Sequence, residues 1–220
     1  MKIIHTLLIC ATATAAICSP PPPASLMAAK AYVGVWVAKM SPQMRTESGF
    51  ASDAEVAAAT VGRPLQTYTL TLQDAAAFDG KTDGTALVKP VPAWSYLVVT
   101  PQKGRVILQM EQTDSRFKAV GLGFSGLARK LDELAKNLPA TTELGLAGMQ
   151  PGVPSLAVLD DGRGLKAVVL GDGTLVVESV KDALMKIQPA ASAALENAKR
   201  MSEHPENGPG GGSGGGGGPH

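Results

Sequence analysis

Between Pro90 and Gln188 the order of apolar and polar positions runs through the same pattern twice. The first unit opens with Val91-Pro92 and the apolar run Trp94–Val99, which is hydrophobic on both faces as in a central strand. A turn at Pro101–Gly104 leads to Arg105–Met110, where Val106, Leu108 and Met110 alternate with other residues. A polar loop is expected at Glu111–Arg116, a third strand at Lys118–Phe124, and a helix with Ser125 as N-cap. Leu127, Leu131, Leu134 and Leu138 form its apolar stripe, and Pro139 ends it. The second unit opens with Val153-Pro154 and the apolar strand Leu156–Leu159. A hairpin turn at Asp160–Gly164 returns the chain through Leu165–Leu170. Gly173–Val177 is then expected to be a third strand, and Ser179 caps a helix with Val180, Ala183, Leu184 and Ile187 turned inward. Pro189 is expected to break that helix, with a restart over Ala190–Met201.

The chain before Pro90 is less regular. Ala31–Ala38 is rich in β-branched and aromatic residues and reads as a strand. Ser52 and Glu55 have capping-box spacing before a short alanine-rich helix ending near Gly62. Leu65–Leu72 reads as a strand, Thr71 or Asp74 as the cap of a short helix reaching Phe78, and Asp79–Gly84 as a loop. The expected architecture is α/β (α+β). It is a mixed or antiparallel sheet built from two pseudo-repeated hairpin–strand–helix units, about 90–138 and 152–188, with helices packed on one face.

The termini differ from this central span. Lys2, an apolar run from Ile3 to Ala11 and the small residues Ala13-Thr14-Ala15 have the layout of a signal peptide over residues 1–18. Residues 19–30, with prolines at 20–23, read as a stiff spacer, 31–203 as one globular domain, and 204–220 as a disordered glycine-rich tail. This places the protein outside the cytoplasm, periplasmic or secreted. A lipid anchor at Cys18 is disfavoured by Ile17, which stands where a lipobox has a small residue.

Composition narrows the chemistry further. Of 220 residues, 45% are apolar and 18% charged, and the net charge is +1. A folded core is therefore expected, and the basic footprint of a nucleic-acid binder is missing. The only histidines are His5, His204 and His220, and both cysteines precede Ser19. The span from Ala24 to Glu203 thus has no residues for a Cys/His nucleophile pair, a Ser-His-Asp triad, a redox C-x-x-C or a Cys/His zinc site. No catalytic residue and no metal ligand set is assigned, and no cofactor is expected. Asp160-Asp161 lacks the alternating spacing of a calcium loop.

One motif stands out. Gly121, Gly123 and Gly126 form G-x-G-x-x-G between an expected strand and an expected helix. This pattern resembles the dinucleotide fingerprint of flavin and nicotinamide enzymes. Glu143 follows Gly121 by 22 residues, near where the ribose-binding acid of that fingerprint stands. These four residues are the candidate cofactor contacts for FAD or NAD. The chain after them continues as hairpins and not as βαβ units, which favours a structural strand-to-helix corner.

Two resemblances rest on particular stretches. Gly152–Asp160, the turn after it, Leu165–Leu170 and the helix Val180–Ile187 resemble the C-terminal half of a thioredoxin-like domain. That resemblance implies a cis-proline at Pro154 and, without cysteines, a redox-inactive adaptor. The pattern of Val-Pro strand, turn, strand, and strand entering helix, seen over Thr69–Phe78 and again in the second unit, is similar to the Tic22-like family. That family comprises exported proteins linked to protein import and envelope assembly. The resulting expectation is a non-catalytic exported binding or chaperone-like module, with another protein of the cell envelope as its partner. The alternatives are the dinucleotide-binding enzyme and the thioredoxin-like adaptor.

Overall fold

The computed structural model describes residues 20–101, 103–114, 116–148 and 152–203. The expected signal peptide and glycine-rich tail lie outside the described residues. One eight-stranded sheet organises the rest. Its strands are β1 (Thr60–Thr69), β2 (Lys89–Thr100), β3 (Lys103–Thr113), β4 (Arg116–Gly123), β5 (Glu143–Ala147), β6 (Leu156–Asp160), β7 (Leu165–Val169) and β8 (Glu178–Ser179). They lie in the order β4-β3-β2-β1-β5-β6-β7-β8, with β1 and β5 parallel at the centre and every other neighbour antiparallel. The helices are α1 (Pro23–Ala38), α2 (Pro42–Glu47), α3 (Asp53–Ala57), α4 (Leu72–Ala77), α5 (Ser125–Lys136) and α6 (Val180–Glu203). The mixed α/β class expected from the sequence is the class observed.

Helices cover both faces of the sheet, not one. The register makes this unavoidable, because Tyr96, Leu97 and Val98 are all buried on successive positions of β2 and must point alternately up and down. On one face Trp94, Tyr96, Val98, Val106 and Leu108 pack under Ala29, Val33 and Val37 of α1. The same face continues over β5–β7, where Tyr68, Leu156 and Val158 lie under α4 and α6. On the opposite face α5 places Ala128, Leu131 and Leu134 over Leu97, Ile107, Leu144, Leu159 and Val168.

Several local expectations are corrected. Ala31–Ala38 is not a strand but the second half of α1, which starts at Pro23 inside the expected spacer. Proline at the first helical position needs no N–H donor there, so Pro23 begins a helix where a stop was expected. Ser25, Ala29, Val33 and Val37 are buried at four-residue spacing, a helical stripe hidden by β-branched composition. The polar run Glu111–Arg116 is the end of a β-ladder closed by a tight turn, with Asp114 at φ 48°, because Thr113 pairs with Arg116. Gly173–Val177 forms no strand, and only Glu178–Ser179 pairs with β7. Pro189 does not split α6. Ile187 and Ala191 are both fully buried against the same core, and Gln188 Nε2 donates to Ala76 O of α4, so packing holds both sides of the proline in one helix. Glu143–Ala147, to which the sequence pattern assigned no element, is a central strand.

Capping follows the sequence more closely, except that Ser125 is the first residue of α5, donates its hydroxyl to Glu47 O, and leaves Phe124 at the N-cap without a side-chain cap. Ser52 Oγ accepts from Glu55 N at 3.2 Å, and Glu55 Oε2 accepts from Ala51 N at 2.6 Å. Thr71 Oγ1 accepts from Asp74 N at 3.0 Å at the start of α4.

Candidate functional site

The glycine motif folds into an edge, not a nucleotide cradle. Gly121 and Gly123 lie on β4, the outermost strand, which is antiparallel to β3, and Gly126 lies in the first turn of α5. A Cβ on Gly121 would come within 2.4 Å of Gln109 Oε1, so that glycine admits a cross-strand side chain. At Gly123 and Gly126 a Cβ would meet nothing within 4 Å, so neither glycine is required for close packing. The residue with left-handed backbone at this corner is Phe124, at φ 59° and ψ 46°. Glu143 is elsewhere: β3, β2 and β1 stand between β4 and β5, four strand spacings or about 19 Å. The structure therefore does not bring the four candidate residues together. The Val153–Pro154 peptide is trans, so the cis-proline implied by the thioredoxin-like resemblance is not found.

The corner has other properties. β4 is eight residues long, and among the described residues no strand pairs with its outer edge. Val120 and Phe124 are 54% and 58% exposed there. Arg116 and Lys118 are exposed beside them, with Glu111 opposite Lys118 on β3. The other edge of the sheet is the two-residue β8.

A cleft of about 280 Å³ lies beside the central strands, lined by Pro20, Pro21, Arg63, Pro64, Gln66, Trp94, Thr142, Glu143 and Leu144 among others. Prolines shape it. Pro64 stands in the middle of a central strand, where a missing N–H is tolerated only at an irregularity, and the β1–β2 register shifts between Val61 and Pro64. A second shift lies where β2 carries Pro90 and Pro92, which also lack donors. There Gln66 Nε2 donates to Val91 O and Ala93 O, supplying hydrogen bonds that the ladder does not. Gln66 is in register with Trp94 on one side and Gly145 on the other, and Glu143 precedes Gly145 by two residues. Gln66, Trp94 and Glu143 therefore share one face of the sheet.

The charges of the cleft are not paired with each other. The Arg63 guanidinium donates to Thr142 O and, at 3.5 Å, to Ala135 O. Burial holds its pKa below the usual arginine value, and no carboxylate forms an ion pair with it. Glu143 is half-buried, and its carboxylate forms neither a hydrogen bond nor an ion pair within the described chain. Trp94 is 7% exposed, stacks edge-to-face on Phe117 at 6.3 Å, and has no acceptor for its indole Nε1.

The sequence reading singled out Glu143 for a different role and took Trp94 as core, which its burial bears out. It missed Arg63 and Gln66. The available signal was Pro64 within an otherwise strand-like run, which marks a bulge and therefore a gap in the ladder. Among the described residues there is no cluster of three or more metal-ligating side chains. No helix among them is long and apolar enough to cross a membrane. Comparison with protein-family models, curated proteins and solved structures finds no match to this chain.

Proposed function

We propose that the protein is an exported, non-catalytic binding or chaperone-like module of the cell envelope, whose partner is another envelope protein. The observation that carries this reading is the eight-residue β4, whose outer edge no strand among the described residues pairs with, and which has Val120 exposed on it and Phe124 exposed just after it. An unpaired strand of that length offers a row of backbone donors and acceptors to an extended segment, and main-chain pairing gives affinity without catalytic residues. The leader-like N-terminus and the lack of cysteine and histidine between Ala24 and Glu203 support the same reading.

The test is capture from envelope extract by the full chain and by Phe117→Pro and Lys118→Pro. Successive strand residues aim their N–H groups in opposite directions, so one of these prolines spares the β3–β4 ladder and blocks only the outer edge. The expected result is loss of the captured protein with that variant at a smaller fall in melting temperature than the ladder-breaking proline causes. Equal capture by the wild type and both variants overturns the reading, as does a chain found in the cytoplasm after fractionation.

A further inference from the structure

We propose that the cleft beside β1 and β5 binds a small zwitterion of the amino-acid class, its carboxylate directed to Arg63 and its ammonium to Glu143. This site is separate from the β4 edge, and the inference stands independently of it.

The argument starts from the two charges. Arg63 and Glu143 line the same cleft, on adjacent parallel strands, and form no ion pair with each other. A partly desolvated cation bonded only to carbonyls, lining the same cleft as a carboxylate with no donor, leaves each charge short of a partner. An anion would compensate Arg63 and face repulsion from Glu143, and a cation the reverse. A molecule carrying both charges a few bonds apart compensates both and leaves the cleft neutral. A planar carboxylate also suits the fork of a guanidinium.

The remaining lining sets the size and polarity of the ligand. Pro21, Pro64, Leu144 and the Trp94 indole are apolar, which favours an amino acid with an apolar side chain. A volume of about 280 Å³ lies at the small end for ligand sites, room for one amino acid and not for a nucleotide pair.

The experiment is calorimetric and thermal-shift titration of the full chain with leucine and proline, and with N-acetyl-leucine and leucine amide, each lacking one charge. Glu143→Gln is the principal variant, because the carboxylate supports nothing else in the fold. Arg63→Lys, which keeps the charge, is the second. The expected result is saturable binding of the free amino acids and a loss of about tenfold or more on removal of either ligand charge. In Glu143→Gln, leucine should bind no tighter than N-acetyl-leucine, and Arg63→Lys should weaken all carboxylate ligands. No shift with any of the four compounds at about 10 mM, well above a weak Kd, overturns the proposal. Equal binding of leucine and N-acetyl-leucine to the wild type also overturns it, since the site would then be a simple anion site. Neither failure affects the capture experiment on β4.

Discussion

The two halves of the sheet meet at the parallel pair β1–β5 and are built differently on either side of it. In the first half the strands run 10, 12, 11 and 8 residues, and in the second 5, 5, 5 and 2. The helix covering the second half, α6, follows β8 directly and spans 24 residues. The helix covering the same face of the first half, α1, comes from the far N-terminus. It is tied down by a buried hydrogen bond of 2.9 Å from Tyr96 Oη to Ser25 Oγ, 71 residues apart in sequence. The lesson concerns dependence. The second half carries its own cover, while the first half exposes the underside of Trp94, Tyr96 and Leu108 unless a distant segment docks. The longer strands also leave a long edge on the first half, and the second half ends in an edge too short to template pairing.

Mutations can break this comparison in graded ways. The largest effect is expected for Leu131→Ala. Leu131 is fully buried in the core that joins Leu97 and Ile107 of the first half to Leu144, Leu159 and Val168 of the second. A loss of about 2–5 kcal/mol in denaturant unfolding is expected, and because the core is shared both halves should melt in one transition. Separate transitions would show that the halves are independent.

Gly145→Ala tests the seam between them. A Cβ there would stand 2.3 Å from Tyr68 Cε2 and 2.9 Å from Gln66 O, on backbone that cannot easily yield. Overpacking should cost about 1–3 kcal/mol, read from the same unfolding curves.

Ser25→Ala tests the dependence of the first half on α1. It leaves the buried Tyr96 hydroxyl without its acceptor, for a loss of about 1–2 kcal/mol. Hydrogen exchange should show protection falling in β2–β4 and not in β6–β7. The same contact gives a pH prediction. Burial raises the Tyr96 pKa, and the hydrogen bond with Ser25 offsets part of that rise. A folded-state value above the unfolded one means stability that is fully present below about pH 10 and lost as pH rises through the folded value. Alkaline unfolding should therefore be driven in part by ionisation of Tyr96, and Tyr96→Phe should delay it. The smallest effect is expected for Gly123→Ala, within about 0.5 kcal/mol, since its Cβ meets open space. A large loss there would restore a special role to the glycine motif.

Legibility in the sequence followed the range of the interactions. The two hairpins and α5 were readable because alternation at Val106–Met110, the Asp160–Gly164 turn and the leucine stripe all encode their partners within a few residues. The capping residues Ser52 and Thr71 were readable for the same reason. β5 was not, because Glu143–Ala147 is short and carries a glycine, and it becomes a strand only between β1 and β6. The cleft was illegible as a site, since Arg63, Trp94 and Glu143 come from three separate strands.

The sequence alone determined the class, the hairpins, most of the caps and the absence of cysteine and histidine chemistry from the folded span. Tertiary structure decided that Ala31–Ala38 is helix, that Pro189 lies within one continuous helix, that helices cover both faces, and that the glycine motif lies on an edge far from Glu143. The reason in each case is energetic. Local pattern sets which face of an element is apolar, but burial against a distant surface outweighs a local propensity of a few tenths of a kcal/mol per residue, and at Pro189 a cost of about 3 kcal/mol.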